Sequence, residues 1–196
     1  MAKWKYFTVP HWPGTKPAVI ESLSAYMPTA AKLKLGAGER AGERAMAGKV
    51  VPLRRDGGSQ LTDFLNNVHR LLVGSESARE LFASAGLGPE DVEIIPIAIA
   101  DKKKKPIPKK YFILHPIRRI ACMDPKRSDC EHKKYAHKER WFIRALQLDE
   151  EKIPVDAKLF RLAEDPRYIL IRSDLLERIR EAKLTGLQEQ ELGESL

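Results

Sequence analysis

The stretch from Leu159 to Gly186 (LFRLAEDPRYILIRSDLLERIREAKLTG) constrains the fold most, because it reads as strand, turn, strand and helix in close succession. Leu159-Phe160-Arg161-Leu162 is a short apolar run, and Asp165-Pro166 has the chemistry of a turn. Tyr168 to Ile171 is rich in β-branched and aromatic residues, as a buried strand requires. Ser173 or Asp174 can accept hydrogen bonds from the free amides of a starting helix, and Glu177 stands where a capping-box partner of Asp174 belongs. Leu175, Leu176, Ile179 and Ala182 recur at helical spacing, which leaves Glu177, Arg178 and Arg180 to the opposite face. Gly186 stands where a left-handed helix stop wants no side chain.

The same pattern occurs about a hundred residues upstream. Leu71 to Ser75 parallels Ile169 to Ser173, Ser77 and Glu80 supply a capping box, and Leu81 and Phe82 give the apolar face. Gly86-Leu87 echoes Gly186-Leu187. A duplicated unit and the ordinary grammar of α+β proteins both produce such a correspondence.

With 196 residues the chain can build one good core, and 43% hydrophobic against 32% charged residues describes a soluble globular protein. No apolar run approaches the roughly 20 residues that span a bilayer, so no membrane contact is expected. The opening residues, MAKWKYFTVP, lack the apolar block of a secretory signal and read as a first strand. Cys122 and Cys130 are the only cysteines and make no disulfide framework, which points to a cytoplasmic location. The net charge of +8 is uneven: residues 101–148 hold 15 Lys and Arg against 5 Asp and Glu, or +10, leaving −2 for the rest. A localised basic segment invites nucleic acid, anionic lipid or an acidic protein surface.

Taken in order, Trp4 to Val9 is the first strand, and Pro10, Pro13, Gly14 and Pro17 punctuate an irregular segment holding His11 and Trp12. Ala18 to Leu23 reads as one or two helical turns. Leu35 to Gly58, rich in Gly, Ala and Arg, reads as a mobile surface loop; its Gly36-Ala37-Gly38 fails the spacing of a phosphate loop. Val50 to Leu53 is a short strand, and Leu61 to Leu65 a helical turn or connector. Val92 to Ala100 is a central strand in which Pro96 marks a bulge or an exposed edge. Asp101 to Lys110 (DKKKKPIPKK) is a solvated loop leading into the strand Tyr111 to Leu114. Ile117 to Met123 and Trp141 to Leu148 follow as strands, and the acidic tail with Glu189, Glu191 and Glu194 frays at its end. The predicted class is α+β: mostly antiparallel sheet with a few helices, in two similar strand–helix–strand halves. The halves cover 1–100 and 101–196, joined near Asp101 to Lys110 within one compact unit.

The one metal-like cluster is Cys122, Cys130, His132 and His137, with His115 nearby. Its intervals of seven, one and four residues fit zinc poorly, and Lys133, Lys134 and Lys138 oppose a dication, so no metal and no cofactor are expected. Cys130 with His132 or His137 lacks a readable orienting group for a thiol nucleophile. No paired-carboxylate, HExxH, nucleophile-elbow or dinucleotide signature is present, so no catalytic residue is assigned and the chain is read as a binding protein. The residues assigned to partner contact are Lys102, Lys103, Lys104, Lys105, Arg118 and Arg119.

The C-terminal half resembles the immunity proteins of bacterial polymorphic toxin systems, of the type first noted in myxobacteria. The resemblance rests on Tyr111-Phe112-Ile113-Leu114, Ile120-Ala121-Cys122-Met123-Asp124, Ser128, Leu146-Gln147-Leu148-Asp149 and Lys152-Ile153-Pro154, then Phe160-Arg161-Leu162, the strand into Ser173, its helix and Leu184-Thr185-Gly186. Asp63-Phe64-Leu65, the strand into Ser75 and Val92 to Pro96 extend it more loosely, to about 130 residues in all. Gly186-Leu187 is followed by Gln188-Glu189, where such proteins often continue with an aromatic strand. The resemblance implies a cytoplasmic protein that neutralises a cognate toxin domain by stoichiometric binding, with no catalytic residue carried over. A nucleic-acid-binding module using the basic segment is the alternative, and a metal-supported regulatory domain a third reading. The oligomeric state stays open.

Overall fold

Short apolar runs separated by turn chemistry become strands, and the two amphipathic runs that follow strands directly become helices. The structure, a computed structural model, describes residues 4–9, 16–135 and 138–193. Along them lie β1 (Tyr6–Thr8), α1 (Thr29–Ala37), β2 (Val50–Pro52), β3 (Phe64–Leu65), β4 (Val73–Ser75), α2 (Glu76–Ser84), β5 (Val92–Ala100) and β6 (Tyr111–Pro116). Then come β7 (Arg119–Ile120), β8 (Asp129–Tyr135), β9 (Lys138–Ala145), β10 (Leu159–Leu162), β11 (Ile169–Arg172), α3 (Ser173–Glu181) and β12 (Gln190–Glu191). The class is α+β. Among the described residues no helix is long and apolar enough to cross a membrane.

One five-stranded sheet runs β2-β5-β6-β4-β3 and the other β12-β1-β11-β10-β7, while β8 and β9 form a separate ribbon. Pairing is antiparallel except for β2 with β5 and β7 with β10. The period of two sorts side chains into three buried clusters. Ile95, Ile97, Ile99, Tyr111 and Ile113 face the first cluster, with Ala31 and Leu35 of α1. Leu114, Ile169 and Ile171 face the second, which takes Ala78 and Phe82 of α2 together with Leu175, Leu176 and Ile179 of α3. Phe160, Leu162 and Leu170 face the third, with Cys122, Met123, Ile143 and Leu146. β10 and β11 are therefore buried on both faces, which explains their continuous apolar character. Pro96 is exposed where β5 has β6 on one side only, because β2 pairs no further than Ala98–Ala100.

Several segments differ from their sequence reading. Pro17, Val19 and Ile20 are extended, bridging to Gln60, Asn66 and Leu53, and only Leu23–Ala25 makes a 3-10 turn. Phe64–Leu65 is strand. The predicted mobile loop 35–58 is held in place: α1 enters it, Gly38 ends α1 at φ 68, and Met46 is buried in the first cluster. The Glu93 carboxylate accepts from the Ala41 and Gly42 amides at 2.8 Å each. Of Ile117 to Met123, Arg119–Ile120 alone forms a named strand. The tail is ordered at least as far as β12, which pairs with β1, and Glu189 is ion-paired with Arg180. Pro10, His11, Trp12, Pro13, Gly14, His137 and Glu194 lie outside the described residues.

The two strand–helix units match, in a register one residue different from the sequence reading. Ser75, not Ser77, caps α2, its Oγ accepting from the Ala78 amide at 3.3 Å. Arg172 holds the equivalent place before α3 and makes no side-chain cap; Asp174 instead accepts from its guanidinium at 2.7 and 2.9 Å. Both helices end in the same pair of bonds, Gly86 N to Ala83 O and Leu87 N to Phe82 O in α2, Lys183 N to Arg180 O and Leu184 N to Ile179 O in α3. The counterpart of Gly86-Leu87 is thus Lys183-Leu184. Lys183 carries φ 54, a left-handed conformation that costs a side-chain-bearing residue about 1–2 kcal/mol. Lys183→Gly is expected to stabilise the protein by about 0.5–1 kcal/mol, after the greater freedom of glycine in the unfolded chain is deducted. Chemical denaturation checks this; a lower midpoint would contradict it.

Candidate partner-binding surfaces

Asp101 organises the lysine loop, its Oδ1 accepting from the Lys103 and Lys105 amides at 2.8 Å each, with Lys104 turned to φ 64. Lys103, Lys104 and Lys105 are exposed, whereas Lys102 is half-buried and donates to Gly57 O at 2.6 Å. Arg118 and Arg119 lie beyond the far end of β6, whose six residues span about 20 Å. The six predicted contact residues therefore form two separate groups. Arg118 bridges Asp156 at 2.8 Å and Asp91 at 3.2 Å, and the hydrogen bond to Asp156 above all raises its pKa. Its charge is spent inside the protein. Arg119 is exposed, with one donor 3.4 Å from Ala37 O.

Among the described residues the cysteines and histidines do not converge. Cys122 is fully buried, and burial pushes its thiol up to about 12. Cys130, on β8, has its Sγ 3.9 Å from Pro125 O, and partial burial raises its pKa as well. A nucleophile or a metal-ligating thiolate needs the opposite shift. His132 stacks on Trp141 with centroids 4.4 Å apart and lies 3.2 Å from Glu139. Among the described residues no group of three His, Cys, Asp or Glu could hold a metal ion. His115 is fully buried elsewhere, with Nδ1 3.2 Å from Arg161 and Nε2 3.0 Å from Glu39 O.

The surface that sequence reading missed is the β8–β9 ribbon. CEHKKY, to which no strand is assigned from sequence, has nothing in it apolar enough to demand a partner, yet it pairs with β9 from Cys130↔Ile143 to Tyr135↔Lys138. One face carries Cys130, His132, Trp141 and Ile143, of which Cys130, Trp141 and Ile143 pack toward the third cluster. The other carries Lys133, Tyr135, Arg140 and Phe142. Tyr135 and Phe142 are among the exposed large apolar residues, and Lys133 and Arg140 lie 5.2 and 5.9 Å from the Phe142 centroid. Lys133 also pairs with Glu131 at 3.3 Å. An aromatic patch with cations over it is the type of surface that anchors a macromolecular partner. The strand expected over Trp141 to Leu148 is found shifted, as β9 at Lys138–Ala145, and its partner β8 was not expected.

A family model described as Immunity protein family (Imm11) matches residues 29–194. The match begins at α1, and so takes in the Gly/Ala/Arg-rich segment that resemblance by motif did not reach. No curated protein matches the chain at a significant level.

Proposed function

The chain belongs to the Imm11 immunity protein family, and from that membership we propose that it binds a cognate toxin domain in the cytoplasm and neutralises it as a stoichiometric complex. The family match over residues 29–194 carries this reading. Neutralisation by binding requires a rigid scaffold and a complementary patch, with no reactive group. The outward face of the β8–β9 ribbon suits the contact, Phe142 and Tyr135 supplying area and Arg140 directed charge. Lys103, Lys104 and Lys105, exposed and in no ion pair among the described residues, add a positive field that speeds encounter with an acidic surface more than it deepens final affinity.

The test is co-expression with the toxin domain encoded beside this chain. Cells are expected to survive, and the two proteins to co-purify in fixed ratio; death despite soluble protein would reject the reading. Phe142→Ala is expected to weaken the complex by about 10- to 100-fold, the range of an interface anchor, with folding stability changed by less than about 0.5 kcal/mol. An unchanged dissociation constant would remove the ribbon from the interface. The same aromatic and cationic face is what a nucleic-acid-binding module would use. That alternative predicts binding to random-sequence RNA or DNA that weakens steeply with salt.

A further inference from the structure

A cavity of about 280 Å³ opens where α1, the 3-10 turn Leu23–Ala25 and the loop 68–71 meet β10 and the turn that follows it. Part of its wall is apolar, from Leu23, Met27, Leu35 and Leu71, and every ionisable residue on it is basic: Lys32, His69, Arg70, Arg161 and Arg167. Arg167 is neutralised by Asp165. His69, lowered by burial and then by Lys32, is a neutral group hydrogen-bonded to Ser22 Oγ at 3.0 Å. Three cations remain without a carboxylate partner among the described residues. Lys32 donates only to Ser24 O, at 3.1 Å. Arg161, 2% exposed, uses three donors on Pro116 O, Pro166 O and His115 Nδ1, which leaves two N–H groups of its five. Arg70 makes no ion pair among the described residues.

Arg70 is also held in place by a built device. Asn67, 4% exposed, accepts from the His69 and Leu71 amides at 3.1 Å each and donates to Leu71 O at 2.6 Å. The loop so closed fixes Arg70 at φ 55, a conformation that favours glycine or asparagine. A long cationic side chain kept there, over a cavity already floored by a buried guanidinium, is backbone strain stored where a ligand would use it.

We propose that this cavity binds a small organic phosphate, a phosphomonoester whose oxygens meet Arg70, Lys32 and Arg161 while an apolar body lies against Leu23, Met27, Leu35 and Leu71. Three unpaired cations match the charge of about −2 on a phosphomonoester better than the single charge of a carboxylate, and guanidinium forks fit its oxygens. The volume lies at the lower end of small-molecule sites, about 300 Å³, so the body is one ring or a short chain. The proposal does not depend on the toxin reading.

Calorimetric titration of the full chain with phenyl phosphate, inorganic phosphate and phenylacetate tests it. Phenyl phosphate is expected to bind one molecule per chain, at least about tenfold tighter than either other probe, since each supplies only half of the recognised chemistry. Arg70→Gly and Lys32→Gln should each weaken it by about tenfold or more, the worth of one charge-assisted contact, whereas Lys103→Gln on the lysine loop should not. Arg70→Gly relieves the strained φ, so its thermal midpoint should hold or rise, which separates lost binding from lost folding. No heat with millimolar phenyl phosphate, or undiminished affinity in Arg70→Gly, overturns the site. Phenylacetate binding as tightly as phenyl phosphate overturns its assignment to phosphate.

Discussion

Gly186→Ala is expected to destabilise the protein by about 2–4 kcal/mol, a large fraction of the 5–15 kcal/mol that a domain of this kind possesses. Two effects add. Gly186 has φ 92, which a residue with a side chain adopts only at a cost of about 1–2 kcal/mol. A Cβ there would stand 2.3 Å from Phe64 O and 2.6 Å from Thr62 Cβ, and relieving such crowding typically costs about 1–3 kcal/mol. The contact matters because this segment ties the end of the chain to β3: Phe64 N donates to Thr185 O at 2.9 Å, and the Asp63 carboxylate accepts from the Thr185 amide and hydroxyl at 3.1 Å each. Denaturant unfolding of Gly186→Ala beside Gly36→Ala makes the comparison internal. Gly36 lies in α1 with open space around its Cβ position and should gain stability on substitution. Equal behaviour of the two variants would refute the close-approach account.

Acidification from pH 6.5 to 4 is expected to remove roughly 3 kcal/mol of stability through His115 alone. Burial first, and then the Arg161 charge, lower its pKa from 6.5 to about 4. Between those values the unfolded imidazole binds a proton that the folded one refuses, so stability falls with falling pH; the contribution is complete above pH 6.5 and gone below about 4. The geometry gives the reason. A guanidinium can only donate, so Nδ1 accepts from Arg161 and the proton resides on Nε2, donated to Glu39 O. A second proton would face the guanidinium inside the core. Carboxylates held low by ion pairs, such as Asp174 with Arg172, lose their contribution below 3.8, outside this window. His115→Gln, which can accept from Arg161 and donate to Glu39 O, should reduce the slope between pH 6.5 and 4, leaving the contribution of His69, whose pKa burial also lowers. A wild-type profile already flat there would refute the assignment.

Both residues show where legibility ended. Gly186 was read as a helix stop, and its positive φ agrees with the turn chemistry, but Lys183 performs that office and Gly186 accommodates β3. Ser77-Glu80 and Asp174-Glu177 have capping-box spacing, yet Ser75 caps α2, and Asp174 pairs with Arg172. Arg161 sat in an apolar run and passed as an ordinary strand residue. Its burial depends on Gly38, where a Cβ would meet the Arg161 stem at 2.7 Å. The lysine loop was read correctly as a solvated turn, since its lysines, proline pair and Asp101 act within a few residues of one another.

What the sequence by itself determined was therefore local: the two strand–helix units, the strands β5 and β6 with a solvated lysine loop between them, the α+β class and the lopsided charge. Each follows from periodicity, capping or turn chemistry that operates over one or two turns of chain. Tertiary structure alone decided that β1 joins the sheet of β11 and β12, that the Ala41 and Gly42 amides find Glu93, and that Lys32, Arg70 and Arg161 share one cavity. These depend on partners tens to more than a hundred residues apart, chosen by what remains to be buried or hydrogen-bonded once the local elements have formed.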